Sequence, residues 1–137
     1  PAGPSDGSEH PNGVIGLDHV VLLPPDLDRT IANLERAGSE LRRVRDTDTY
    51  GAPMRQAFFR MGPTILEVIG SPEKTGDGGA RFFGLAWTVR DLDATAAHLG
   101  DRLRPAKNAV QEGRRIATLD KAAGSTVAMA FMSPEPA

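Results

Sequence analysis

The side chains best suited to chemistry are few. The chain holds three histidines, His10, His19 and His98, eighteen acidic residues and no cysteine. His19 stands inside an aliphatic, β-branched run from Ile15 to Leu23, and Glu67 inside another from Thr64 to Ile69. Strand side chains alternate between faces, so His19 shares one with Val21 and Leu23. If the strands carrying His19 and Glu67 are neighbours, an imidazole and a carboxylate can meet on one face. The carboxylate then orients the ring and raises its basicity, which makes a pair able to transfer a proton. The same two groups suit a borderline divalent metal. His10 lies in a polar stretch and reads as solvated. His98 lies near the end of a predicted helix, where a positive charge suits the dipole.

Other chemistries drop out. Without cysteine there is no disulfide scaffold, thiolate zinc site, iron–sulfur cluster or cysteine nucleophile, and the composition fits a reducing, cytoplasmic setting. No Gly-x-Ser-x-Gly elbow, Walker loop or dinucleotide fingerprint occurs. Gly76-Asp77-Gly78-Gly79 offers one carboxylate, too few for a calcium loop, and reads as linker. Sixteen basic against eighteen acidic residues leave a net charge of −2. That near-balance gives no general pull on nucleic acid or anionic lipid. No run of about eighteen apolar residues is present to span a membrane. Arg42, Arg43 and Arg45 form a basic run without interleaved aromatics and read as a solvated strand.

The elements that must position His19 and Glu67 emerge when the chain is laid over itself. With 137 residues, 39% apolar and 25% charged, it has the size and composition of one soluble domain. Asp26-Leu27-Asp28 recurs as Asp91-Leu92-Asp93, 65 positions on. Each first Asp sits where a helix N-cap belongs. Leu27, Ile31 and Leu34, like Leu92, Ala96 and Leu99, paint one apolar helical stripe. Gly38 and Gly100 then stop the helices. Three strand-like segments follow each: Leu41 to Arg45, Met54 to Met61 and Thr64 to Ile69, then Leu103 to Val110, Arg114 to Leu119 and Thr126 to Met132. Each half thus reads β-α-β-β-β. The expected fold is α+β, two tandem βαβββ modules forming a curved, cup-like mixed sheet with helices outside. A ferredoxin-like sandwich is the plainer alternative, and eight strands with two helices argue against it. The bounds are a flexible tail at 1–14, modules at 15–70 and 83–132, a linker at 71–82 and a loose end at 133–137.

Strand parity proposes the lining of the cup. Gln56, Phe58 and Arg60 are expected inward, with Ala57, Phe59 and Met61 toward the helix. In the second half Arg114, Ile116 and Thr118 are expected inward, and so are Met129 and Phe131. Gly84, Ala86 and Thr88 would leave room, while Trp87 would sit between sheet and helix. Such a mixture of aromatic, thioether and a few polar groups is common in ligand pockets. Arg60 and Arg114 could pair with an anionic substrate.

The segment Leu17-Asp18-His19-Val20-Val21-Leu22, the helix opened by Asp26, the strand with Leu66-Glu67-Val68, and Val89-Arg90-Asp91-Leu92-Asp93 resemble the vicinal oxygen chelate superfamily. That group contains glyoxalase I, bleomycin-resistance proteins, extradiol dioxygenases, fosfomycin-resistance proteins and methylmalonyl-CoA epimerase. The resemblance spans residues 15–132 and implies the glyoxalase-like fold. It also implies a homodimer and a small organic ligand in the cup. Metal-binding members place a His or Gln on a module's first strand and a Glu on its last. His19 and Glu67 match that pattern as metal and catalytic residues. Their second-module counterparts, Gly84 at an offset of 65 and Met129 at an offset of 62, ligate poorly. The resemblance therefore implies an incomplete site, with a divalent metal as the cofactor it allows. The rival functions are a divalent-metal-dependent lyase, isomerase or dioxygenase using His19 and Glu67, and a metal-free, drug-sequestering resistance protein.

Overall fold

The computed structural model describes residues 9–137. The tail expectation for residues 1–8 lies outside them. The elements run β1 (Val14–Leu23), α1 (Leu27–Arg36), β2 (Glu40–Thr47), β3 (Met54–Met61), β4 (Thr64–Gly70), β5 (Arg81–Val89), α2 (Leu92–Leu99), β6 (Lys107–Asn108), β7 (Arg115–Thr118) and β8 (Ala128–Met132). The fold is α+β. Its eight strands form a mixed sheet, with β2-β3-β4-β1 as one run of neighbours and β5-β8-β7-β6 as the other. The chain packs as two compact units, Asp18–Leu85 and a second made of residues up to Leu17 with Ala86–Ala137.

In the unit Asp18–Leu85, the Asp26 carboxylate accepts from the Arg29 amide at 3.1 Å and caps α1. This satisfies an amide that the first turn would otherwise leave unpaired. One stripe of α1 then buries against one sheet face. Leu27, Leu22, Ala57, Phe59 and Val68 are the buried core there, with Ile31, Leu34, Leu41 and Leu66 packed on it. The expectation that Ala57 and Phe59 face the helix holds, but Met61 is exposed at the strand end. β1 pairs with β4 in parallel, and β3 with β2 and β4 antiparallel. A bulge at Arg42 separates Leu41, opposite Phe59, from Arg43, opposite Phe58. The extra residue re-aims the strand, so Arg43 and Arg45 leave the helix face.

The second unit repeats the plan with α2. Asp91 caps it by accepting from the Ala94 amide at 3.1 Å. Val89, Leu92, Leu103, Ala117 and Phe131 form its core, with Trp87, Ala96 and Leu99 packed on it. The predicted strand Leu103 to Val110 shrinks to β6 plus a single bridge from Leu103 to Leu119. Pro105 has no amide hydrogen to give a ladder. Residues 12–14 make specific contacts. Val14 opens β1, the buried Thr95 hydroxyl donates to the Asn12 carbonyl at 2.6 Å, and the Arg90 amide donates to the Gly13 carbonyl at 2.9 Å. At the other end Ser133 is tied, its hydroxyl oxygen accepting from the Arg115 amide at 2.8 Å.

Candidate functional site

The strand registers decide which side chains can meet. In the parallel pair His19 stands opposite Ile65 and Val21 opposite Glu67. Partners across a ladder point to the same side, so His19 and Glu67 share a face, one strand apart and two residues out of step. It is the face turned away from α1, because the intervening Leu22 and Val68 are in the helix-side core. Phe58 lies opposite Glu67, Gln56 opposite Ile69 and Arg60 opposite Ile65, so these three expected lining residues join the same face. Arg60 is exposed there.

Hydrogen bonds sharpen the cluster. The Gln56 amide nitrogen donates to Glu67 Oε1 at 2.8 Å. Gln56 is only 3% exposed, and its own Oε1 is buried with no hydrogen-bond partner. Burial pushes the Glu67 carboxyl above its ordinary value, opposed by the His19 charge and by the Gln56 bond. His19 Nδ1 lies 2.8 Å from Asp18 Oδ2. A carboxylate at that distance favours the proton on Nδ1, so in the neutral ring Nε2 is the acceptor. Tyr50, in the loop between β2 and β3, has its phenol pushed up by partial burial and then by the Glu67 charge, against Arg45. The site thus contains Asp18, Arg45 and Tyr50, which sequence reasoning passed over. Asp18 signals itself only by preceding His19, and Arg45 only through a register that the Arg42 bulge hides.

Three expected lining residues are placed otherwise. Phe131 belongs to the α2 core opposite Ala117, and Met129 has the same parity, so neither lines the face away from the helix. Thr118 pairs with Ala130 and Ile116 with Met132, and these four take that face instead. The cause is loop length. Strands β3 and β4 close through a tight turn in which Met61 faces Thr64. Strands β7 and β8 are joined through a 3₁₀ turn at Lys121–Ala123 and further residues. The counterpart of Val68 is Phe131, at an offset of 63 instead of 62, and an odd slip turns every side chain over. The counterpart of Glu67 is therefore Ala130. Arg114 precedes β7 and is 3% exposed. Its guanidinium donates to the Ser133 carbonyl and to Gln111 Oε1, both at 3.0 Å. It clamps the β6–β7 turn.

The donor set decides the metal question. His19 and Glu67 are two strong ligands, and Gln56 Oε1 adds an amide oxygen. Gly84 and Ala130, at the matching positions of the second sequence module, add nothing. Among the described residues no group of three or more His, Asp or Glu side chains is placed to hold an ion. A resident catalytic ion usually takes three strong protein ligands. The residues present therefore do not fit the metal that the resemblance allows. Two hollows in the surface of the described residues lie elsewhere. One of about 440 Å³ is lined by Asn108, Glu112 and Arg114 among others, and an apolar one of about 240 Å³ by Val20, Met61, Leu66 and Phe82 among others. Neither touches His19, Gln56 or Glu67, so chemistry rather than volume marks the site.

No family profile matches the sequence, and no curated protein matches it. Solved structures do. Methylmalonyl-CoA epimerase from Mycobacterium tuberculosis is 23% identical, with a TM-score of 0.75 and coverage of 95% of both chains. Streptomyces coelicolor methylmalonyl-CoA epimerase, in complex with 2-nitronate-propionyl-CoA, is 20% identical with a TM-score of 0.72, covering 90% of this chain and 99% of its own. A hypothetical protein from Bacillus halodurans C-125 is 14% identical with a TM-score of 0.70, covering 88% of this chain and 95% of its own. The likeness is one of fold, and it agrees with the order of strands and helices built up above. The chain has the α+β fold of the vicinal oxygen chelate, or glyoxalase-like, superfamily.

Proposed function

We propose that the chain binds a small organic ligand on the face where His19, Gln56 and Glu67 meet, and that His19 and Glu67 exchange a proton with it. The observation that carries this reading is the unpaired Gln56 oxygen. A buried acceptor left unsatisfied costs about 1–3 kcal/mol, and a ligand O–H or N–H arriving there would recover it. Glu67, held toward its neutral form by burial, is suited to give a proton. His19 Nε2, freed by the Asp18 contact, is suited to take one. Both roles lie within the reach of ordinary acid–base catalysis, and neither needs an ion.

A thermal-shift screen of small organic ligands tests the reading with Gln56→Leu beside the wild type. The substitution removes an orphaned acceptor and a useful amide donor together, so the melting point changes little. A ligand that stabilises the wild type is expected to lose its effect in the variant. A ligand shift that survives Gln56→Leu, or a screen with no shift at all, removes the proposal.

A second reading is favoured by the likeness in fold to epimerases solved with CoA ligands. In it the proton pair acts on an acyl-CoA, removing a proton beside the thioester and returning one. Incubation with methylmalonyl-CoA in D₂O should then put deuterium at that carbon, and His19→Ala should stop it. Unlabelled substrate after prolonged incubation rejects this second reading alone.

A further inference from the structure

The face that carries His19, Gln56 and Glu67 also carries an excess of positive charge. Across the β2–β3 ladder Arg45 stands opposite Gln56, and Arg43 opposite Phe58. Arg60 lies two residues beyond Phe58 on the same side. The neighbouring carboxylates are already taken on other terms. Glu40, directly opposite Arg60 across the ladder, pairs with Arg42 at 3.0 Å, and Asp46 with Arg55 at 2.7 Å. Among the described residues no carboxylate pairs with Arg43, Arg45 or Arg60. Arg43 stands in the row of Phe58 and the half-buried Glu67, with Arg45 in the row on one side of it and Arg60 in the row on the other. Directly opposite cross-strand side chains sit about 4.5–5.5 Å apart at Cβ. Arg45 is thus next to the one buried amide whose oxygen has no partner. Tyr50 feels the charges of both Arg45 and Glu67, which places all three in one electrostatic neighbourhood.

We infer that the ligand of this site is a small organic acid that also carries a hydroxyl or amine hydrogen, its anionic group held by Arg45 with Arg43 and Arg60 beside it, and its O–H or N–H given to Gln56 Oε1. The inference rests on the ligand-binding reading above and narrows it. A guanidinium fork matches a carboxylate or a phosphate through two parallel hydrogen bonds. The donor is demanded by Gln56, which offers an acceptor and nothing else at that end. The Phe58 ring, one row along on the same face, supplies an apolar flank beside the two polar anchors. Neither Arg43 nor Arg60 replaces Arg45, because only Arg45 is set directly across from Gln56.

Four probes separate the parts in a titration followed by the side-chain amide signal of Gln56. Mandelate has acid, hydroxyl and ring. Phenylacetate lacks the hydroxyl, benzyl alcohol lacks the acid, and inorganic phosphate lacks the ring. Mandelate is expected to bind saturably and to weaken as sodium chloride is raised. Phenylacetate should bind at least fivefold more weakly, and benzyl alcohol should leave the signal in place. Stronger binding of phosphate than of mandelate would assign the anchor to a phosphoryl group and keep the acid. Arg45→Gln should weaken mandelate tenfold or more, and Arg45→Lys, which keeps the charge and loses the fork, should fall between. If benzyl alcohol binds as well as mandelate, or Arg45→Gln leaves mandelate affinity unchanged in a folded variant, the acid is wrong while the ligand site survives. If none of the probes moves the Gln56 signal, the inference is overturned, and the thermal-shift screen then decides the underlying reading separately.

Discussion

Phe131→Ala puts the register of β8 to a direct test. Phe131 is 5% exposed and lies in the α2 core with Val89, Leu92, Leu103 and Ala117. Truncating a buried phenylalanine removes its transfer free energy and leaves a cavity, at a cost of about 3–5 kcal/mol. For a domain of this size each kcal/mol lowers the melting point by roughly 2–4 °C, so a fall of roughly 6–20 °C is expected. Urea unfolding would show it as a lower midpoint at an unchanged slope, since the surface exposed on unfolding hardly changes. Phe59→Ala, at the buried phenylalanine beneath α1, should cost a similar amount. Ala130→Ser, one residue away on the opposite face, should stay within about 0.5 kcal/mol. Should Phe131→Ala be as mild as Ala130→Ser, the side chain is not in the core. The assignment of β8 faces, and with it the removal of Met129 and Phe131 from the ligand-binding set, would then be wrong.

Three further outcomes follow from particular contacts. Because the folded protein raises the Glu67 pKa, the native state binds that proton more tightly than the unfolded chain, and the stability this confers is present below the ordinary carboxyl value and lost as pH rises through the raised one; Glu67→Gln should flatten that decline when urea midpoints are compared from pH 4 to 8, and an unchanged slope would refute it. Asp18→Asn should shift the His19 ring toward the other tautomer, seen as a change in long-range ¹H–¹⁵N couplings, while a spectrum identical to wild type would deny Asp18 its orienting role. Thr95→Val deletes the hydroxyl bonded to the Asn12 carbonyl and should cost about 1–2 kcal/mol, with faster hydrogen exchange at the Arg90 amide that holds Gly13; unchanged exchange would show that the strap before β1 does not depend on Thr95.

Local signals carried the fold well. The two Asp caps, the apolar stripes and the β-branched runs each act within a turn or a strand, so their positions in the sequence are enough to find them. The placement of His19, Glu67, Gln56, Phe58 and Arg60 was legible for the same reason, since parity counts reliably along one uninterrupted strand. What parity cannot supply is the phase between strands. The Arg42 bulge moved Arg43 and Arg45 to the site face, and the longer β7–β8 connection moved Met129 and Phe131 off it. Both are long-range pairing events, written in no residue of the strand concerned. Asp18 escaped because a neighbour along a strand is expected on the opposite face, and the short reach from its carboxylate to Nδ1 is visible only in coordinates.

The β7–β8 connection has an evolutionary side. Lengthening a surface loop costs little stability, growing only with the logarithm of its size. In a duplicated gene, one added codon there can silently exchange the inner and outer alphabets of the following strand, turning a side chain off the site face without altering it. Drift in hairpin length is thus a cheap route by which twin halves of one chain come to specialise, one keeping polar chemistry and the other reduced to alanine and methyl groups.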